Sequence, residues 1–411
     1  MHVMANRRLP RILTEAVQRV SRTMPVVVVT GARQTGKSTL VEDLLPGNRA
    51  YLTLDDLDVR ALAERTPDEL VGRPGPIVLD EVQRVPDLLL AVKRAVDRDR
   101  EPGRYILTGS ANLLLMKSVS ESLAGRAAYL SLWPMTRREL LGQGRAGLWS
   151  ALLDQACVDW PEVLGSADAE PADWRGAAAH GGYPVPAVEY SDPTDRAIWF
   201  DGYIRTYLER DLQDLSAIDN LVDFRRLMGA ACLRLGQLVN QAELGRDVQL
   251  PQPTVRRWLN LLEASYQLVT LPAYAVNRTK RLIKTPKAYW SDTGLALRLA
   301  GLADPAGAHL ENLVLSDLLA WRDASVVDRP GIFYWRTATG DEVDFVVERG
   351  RDLLGVEVKT TARPRPSDAK HLMTFRDEYG EAVRGCLLLH GGEQVEWLGP
   401  RILAAPWWAV V

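Results

Sequence analysis

Residues 25–45, PVVVVTGARQTGKSTLVEDLL, constrain this chain more tightly than any other stretch. An apolar run enters a glycine loop, Gly31-Ala32-Arg33-Gln34-Thr35-Gly36-Lys37-Ser38, and a helical pattern follows from Thr39. The loop is a full match to G-x-x-x-x-G-K-[ST], and the strand before it and helix after it supply the context that motif needs. Backbone N–H groups of such a loop wrap phosphates, with the positive end of the helix dipole turned toward them. Lys37 is therefore expected at the β- and γ-phosphates, and Ser38 at a Mg²⁺ ion.

Two further apolar strands support this reading. PIVLDEVQ ends in Asp80 and Glu81, 43 residues beyond Lys37. Asp80 is placed to hold the Mg²⁺ through water, and Glu81 to orient or deprotonate an attacking water. YILTGSANLLL ends in Thr108 and Ser110, where a polar group can sense a γ-phosphate. The nearby SLAGRA offers Arg126 either as an arginine finger, in cis or on a neighbouring subunit, or as a plain surface ion pair. Buried strands alternating with helical stretches imply an α/β fold with a parallel sheet covered on both faces. LWPMTRRELL closes this first domain near residue 140.

At 411 residues the chain exceeds one ordinary core. We expect four units: the P-loop domain over 1–140, a helical lid or linker region over 141–214, a winged helix over 215–304 and a C-terminal α/β domain over 305–411. With 46% hydrophobic and 25% charged residues the composition is globular, and a net charge of −3 gives no global sign of nucleic-acid binding. Cys157, Cys232 and Cys386 lie too far apart for a zinc site and fit a reducing cytoplasm. No apolar run approaches the ~20 residues of a membrane helix. Arg7, Arg8 and Arg11 are followed by no apolar signal segment, so neither a membrane nor a secretory destination is expected.

The middle of the chain is uneven in what it says. HGGYPVP (180–186) marks a turn, and Arg205 and Arg210 read as solvating a helix, the other reading being that they face nucleotide. LGQLVNQAELGRDVQLPQPTVRRWLNLLEASYQLVTLPAY reads as a helix, a turn at Leu250-Pro251 and a second helix from Gln252 or Pro253. A strand over 266–271, the basic loop NRTKRLIKTPK and the return strand AYWSD follow, which is the order of a winged helix-turn-helix. Residues 215–305 carry 12 Lys/Arg against 7 Asp/Glu, a local excess of five. The second helix is expected to present Gln252, Thr254, Arg256, Arg257 and Asn260 to a DNA groove. Arg278, Lys280, Arg281, Lys284 and Lys287 are expected to meet phosphates. A protein-docking module with a solvated basic loop is the other reading.

The C-terminal region gathers acidic residues on a hairpin. GDEVDFVVERGRDLLGVEVKTT alternates apolar and polar positions, so Asp344 is expected opposite an apolar face, with Glu357 and Lys359 sharing one side of the next strand. An acidic residue, then D, then E-x-K is the pattern of the PD-(D/E)XK nuclease-like fold. Asp344, Glu357 and the Val358 carbonyl would bind Mg²⁺, or Mn²⁺ in its place, at a scissile phosphate. Lys359 would orient the attacking water, and Glu311 would complete the shell from a preceding helix. A solvated hairpin face with paired charges is the alternative.

Taken in order, GARQTGKSTL, VLDEVQ, LTGSANLLL, SLAGRA, GGYP, YLERDL, PKAYWSDTGLA, EVDFVV and VEVKT resemble the bacterial and archaeal AAA-type ATPases that carry a C-terminal DUF4143 domain. The resemblance runs almost end to end. It implies an ATP-binding domain, a helical region, a winged helix and a PD-(D/E)XK-like domain. The function expected is a cytoplasmic Mg²⁺-dependent ATPase that binds DNA and processes it at the C-terminal site, with a homo-oligomer in which Arg126 completes a neighbour's site. The alternative is an ATP-switched DNA- or protein-binding module whose nuclease-like domain is catalytically silent. A small-molecule kinase fits the large C-terminal region poorly.

Overall fold

The computed structural model describes residues 8–109, 123–166, 169–211, 218, 220–277, 281 and 284–411. Five parallel strands form the first sheet: β1 (Val26–Thr30), β2 (Ala50–Thr53), β3 (Ile77–Asp80), β4 (Tyr105–Thr108) and β5 (Ala127–Ser131), in the spatial order β2-β3-β4-β1-β5. The run Val26–Val29 is fully buried because helices cover both faces, α1 (Leu13–Ser21) on one side and α2 (Leu88–Arg98) on the other. With β4 between β1 and β3, Thr108 stands between the glycine loop and Asp80.

The helical stretch after residue 140 divides between two cores. Trp149, Trp160 and Trp174 pack onto the C-terminal sheet. Tyr183, Phe200, Tyr203 and Tyr207 instead share a core with Phe224, Trp258, Trp290 and Leu295. This second core is built by α3 (Pro193–Tyr203), α4 (Leu221–Cys232), α5 (Gln241–Val248), α6 (Gln252–Ala264), the antiparallel pair β6 (Leu268–Leu271) and β7 (Lys287–Trp290), and α7 (Thr293–Ala300). Each of three helices starts with a polar cap: Asn220 for α4, Asn240 for α5 and Asp292 for α7.

The C-terminal domain runs α8 (Gly307–Ala324), β8 (Gly331–Arg336), β9 (Glu342–Arg349), β10 (Asp352–Lys359), α9 (Lys370–Tyr379), β11 (Val383–His390), β12 (Glu396–Gly399) and β13 (Ile402–Pro406). Its mixed sheet has the order β12-β13-β11-β10-β9-β8. Both faces of the β9–β10 hairpin are buried. Phe345, Val347, Leu354 and Val356 lie toward α8, while Val343, Val346 and Leu353 lie toward Phe375 of α9. The expected alternation of a polar and an apolar face therefore does not hold, because these are inner strands of a three-layer domain. Between Phe333↔Val346 and Trp335↔Val343, β8 advances two residues while β9 retreats three. That extra residue on β9 falls beside Asp344 and explains how Val343 and Phe345 come to lie on opposite faces.

Candidate functional site

The glycine loop leaves β1 at Thr30 with Gly31 at φ 146° and Gly36 at φ 90°. A Cβ on Gly31 would collide with the Leu132 carbonyl, so glycine is required there for the close approach of β1 to the chain leaving β5. Lys37 is 5% exposed, and its Nζ donates to the carbonyls of Gly31 (3.2 Å) and Ala32 (2.8 Å). Burial pulls its pKa down to about 8 despite the nearby Glu81 and Asp80 carboxylates. Ser38 Oγ donates to Asp80 Oδ2 at 3.0 Å, and Tyr51 OH donates to the same oxygen at 2.6 Å. Thr108 Oγ1 donates to Asp80 Oδ1 and accepts from the Glu81 N–H at 3.4 Å. Glu81 adopts φ 57°, ψ 43°, an unusual conformation for a glutamate, and Gln83 donates to its carboxylate. Strained backbone of this kind collects at functional sites.

The rest of the loop is gripped from outside. Thr35 Oγ1 donates to Ala32 O, and Arg11 donates to Thr35 O at 2.7 Å, to Trp133 O at 2.6 Å and to Glu139 Oε1 at 3.0 Å. Tyr203 OH donates to Arg33 O at 3.2 Å, and the Arg33 guanidinium lies over the Tyr207 ring. Gln34 takes φ 64° at the tip. Tyr266, just before β6, shares a hydrogen bond of 2.8 Å with Thr30 Oγ1 and one of 3.3 Å with Ser131 Oγ. A cleft of about 150 Å³ opens beside Gly36 and Thr39, walled by Leu9, Val185 and Val188. None of Tyr51, Arg11, Tyr203 or Tyr266 is expected from the motif, since each arrives by tertiary folding.

Other expected residues fall elsewhere. Arg126 lies at the opposite end of the strands from the loop: its carbonyl accepts from Val26 N at the start of β1, and its guanidinium is clamped by Asp97 at 2.6 and 3.0 Å. Five strand residues, roughly 16 Å, separate it from Gly31, so a finger acting in cis is excluded. Arg281 is also corrected. It is 9% exposed, donates to Glu348 at 2.6 and 2.8 Å and to Ala275 O, and lies against the rings of both Tyr274 and Phe333. A guanidinium so engaged does not meet DNA phosphates. Arg256, Arg257 and Lys284 are exposed, with Gln252 and Asn260, while Thr254 is half-buried. Ser110, Arg278 and Lys280 lie outside the described residues, as does the side chain of Arg210.

Lys287 departs furthest from expectation. It is 2% exposed and lies inside the C-terminal carboxylate cluster, 2.5 Å from Glu342 and 3.4 Å from Asp344 Oδ1. Asp344 Oδ2 accepts from Val358 N at 2.9 Å, and Lys359 Nζ donates to Glu357 Oε1 at 2.6 Å. Tyr289 OH donates to Glu311 Oε2 at 3.2 Å. Glu357 Oε2 is buried without a partner. Burial, then the Asp344 charge, holds Glu311 and Glu357 well above the usual carboxylate range. Burial alone would lower Lys287, but Asp344, Glu311 and Glu342 outweigh it and push it up to about 12. Three of the four oxygens of Asp344 and Glu357 are thus spent on Lys287, Val358 and Lys359. Among the described residues, no group of three or more His, Cys, Asp or Glu side chains is arranged to hold a metal ion. As folded, the cluster fits ammonium groups and does not fit the metal expected there.

Comparison with known proteins places these geometries. Residues 23–141 match the model of an AAA domain, 171–306 that of a domain of unknown function (DUF8612), and 306–410 that of a domain of unknown function (DUF4143). An uncharacterised protein of Mycobacterium tuberculosis is 33% identical over 364 residues, spanning 85% of this chain and 74% of that protein. The chain belongs to the AAA-domain ATPases that carry a C-terminal DUF4143 domain. The Mycobacterium bovis counterpart has the same identity and coverage, and a Haemophilus influenzae relative of this ATPase is 21% identical over 381 residues, covering 86% of this chain and 87% of its own. Among solved structures, a Walker-type ATPase of Pyrococcus abyssi aligns at 17% identity with a TM-score of 0.43, over 72% of this chain and 99% of that one. Among the described residues of the ATPase no helix is long and apolar enough to cross a membrane.

Proposed function

We propose that this ATPase hydrolyses ATP at the glycine loop and uses the nucleotide state to set how the 183–296 region holds DNA. One observation carries the reading: the glycine loop, Asp80, Glu81 and Thr108 meet at the ends of three adjacent strands, and Tyr266 joins Thr30 of that site to the neighbouring core. Loop N–H groups take the phosphates, and Lys37 turns from the Gly31 and Ala32 carbonyls to the β- and γ-oxygens. The cleft beside Thr39 suits the size of a heterocyclic base. Glu81, steadied by Gln83, orients water for attack in line with the leaving oxygen. Ser38 Oγ and Asp80, hard oxygen donors 3.0 Å apart, fit Mg²⁺, which when bound would offset the charge of the triphosphate.

DNA is assigned to the exposed face of α6, where Gln252, Arg256 and Asn260 follow one another at helical spacing with Arg257 beside them, and to Lys284. The opposite face, Val255, Trp258, Leu259 and Leu262, is buried. No cleavage step is assigned to the C-terminal domain, because three of the four oxygens of Asp344 and Glu357 are occupied by Lys287, Lys359 and the Val358 N–H. The ATP-switched binding module is thus the reading that the geometry favours over the nuclease.

Nucleotide binding and phosphate release test the first half. Lys37→Ala should lose ATP binding, while Glu81→Gln should bind ATP and release phosphate at least ~100-fold more slowly. Retained affinity in Lys37→Ala, or undiminished turnover in Glu81→Gln, sinks the assignment.

A further inference from the structure

Glu311, Glu342, Asp344 and Glu357 converge where α8, β9 and β10 meet β7. Asp344 is the charge acting most strongly on both Glu311 and Glu357. Of the two lysines among them, Lys359 belongs to β10, while Lys287 comes from outside the C-terminal domain. Lys287 opens β7, which pairs with β6 and bridges to Leu238 rather than joining the six-stranded sheet. Its Nζ also lies 5.8 Å from the centre of the Tyr334 ring. A lysine is almost never this buried unless it is paired, and here Glu342 and Asp344 pair it. The unpartnered Glu357 Oε2, on a residue 3% exposed, marks a place where the cluster lacks one positive partner. The donor chemistry is that of a hard-cation site, while the occupant is an ammonium borrowed from the neighbouring region.

We propose that Lys287 is a latch: it occupies the position of a divalent cation at Asp344, and the carboxylate cluster takes such an ion only when Lys287 withdraws. The latch belongs to a short two-stranded ribbon, which is tied to the sheet that carries the acids where Pro272 and Tyr274, just after β6, exchange backbone hydrogen bonds with Tyr334 of β8. The same ribbon begins just after Tyr266, whose hydroxyl bonds Thr30 at the glycine loop. The proposal concerns ion binding without nucleotide, so it stands or falls separately from the ATP reading.

Mn²⁺ binding to the nucleotide-free full-length protein, followed by electron paramagnetic resonance, decides it. Lys287→Met should bind one Mn²⁺ about tenfold or more tighter than wild type, and the added Asp344→Asn should abolish the gain. Binding no tighter than wild type, or a gain that survives Asp344→Asn, overturns the proposal. If Lys287→Met does not fold, Glu342→Gln serves, since it removes the partner at 2.5 Å and keeps the lysine. A smaller Asp344-dependent gain supports the latch, and a folded Glu342→Gln protein without one overturns it.

Discussion

Asp317 lies on α8 with its carboxylate accepting from Trp149 Nε1 at 2.8 Å and from the Gly147 N–H at 2.6 Å. Burial raises its pKa to about 6, more than those two donors lower it. The folded value stands above the ordinary 3.8, so its contribution to stability is fully present below that value and lost as pH rises through 6. Asp317→Asn should therefore be the more stable protein at pH 7.5, by on the order of 3 kcal/mol, with the advantage shrinking toward pH 4. Urea denaturation at the two pH values measures it, and a constant difference would show that Asp317 stays charged. Residues of this kind are illegible in sequence. Lys37, Ser38, Asp80 and Glu81 could be named because their chemistry is written in contiguous motifs. Lys287 and Arg281 looked like neighbours of equal standing in one basic loop, yet folding buried both against glutamates of the next domain.

At the scale of elements, two of the sequence motifs explain each other. Asp292 of WSDTG caps α7 through Leu295 N at 2.8 Å and holds Gly182 N of HGGYP at 2.6 Å. Gly181 has φ 69°, and a Cβ there would lie 2.6 Å from Asp292 Oδ1, so the glycine admits the clasp. Asp292→Ala removes the cap and strands a buried N–H, for a loss of about 2–4 kcal/mol. A melting temperature within a degree of wild type would refute that account. The helix pair and following strands were readable because caps, prolines and apolar spacing are local. Alternation puts Asp344 opposite an apolar face, and that rule assigns faces only when one of them meets solvent. Here β9 and β10 are covered on both sides, and the slip beside Asp344 changes which side each residue joins.

For the whole molecule, the question is how a change at the glycine loop reaches α6. Tyr266→Phe keeps the ring, which packs edge-on against Trp133, and removes only the bonds to Thr30 and Ser131. We expect ATP turnover within about twofold of wild type, but the ratio of DNA affinities with and without a non-hydrolysed ATP analogue should fall toward one. Fluorescence anisotropy measures the ratio, and an unchanged value would place the coupling elsewhere. Changing Arg256, Arg257 and Lys284 together to glutamine should weaken DNA binding and flatten the slope of log affinity against log salt by up to about 3. An unaltered slope would favour a protein as the partner of this face. The AAA domain at the front of the chain and the DUF4143 domain at its end were legible from local motifs. Contacts between domains were not, because they join residues as far apart as Thr30 and Tyr266, 236 positions along the chain.

Arg11 precedes the stretch that matches the AAA domain, yet its guanidinium spans Thr35, Trp133 and Glu139. Glu139 is wholly buried and also receives the N–H groups of Ile12 and Thr136. A fragment cut to 23–141 would strip that carboxylate of its counter-charge, a loss of about 3–5 kcal/mol for a buried pair broken on one side. The nucleotide-binding unit is consequently not severable at its family boundaries: a short leader strapped across its floor is as much a part of it as the loop.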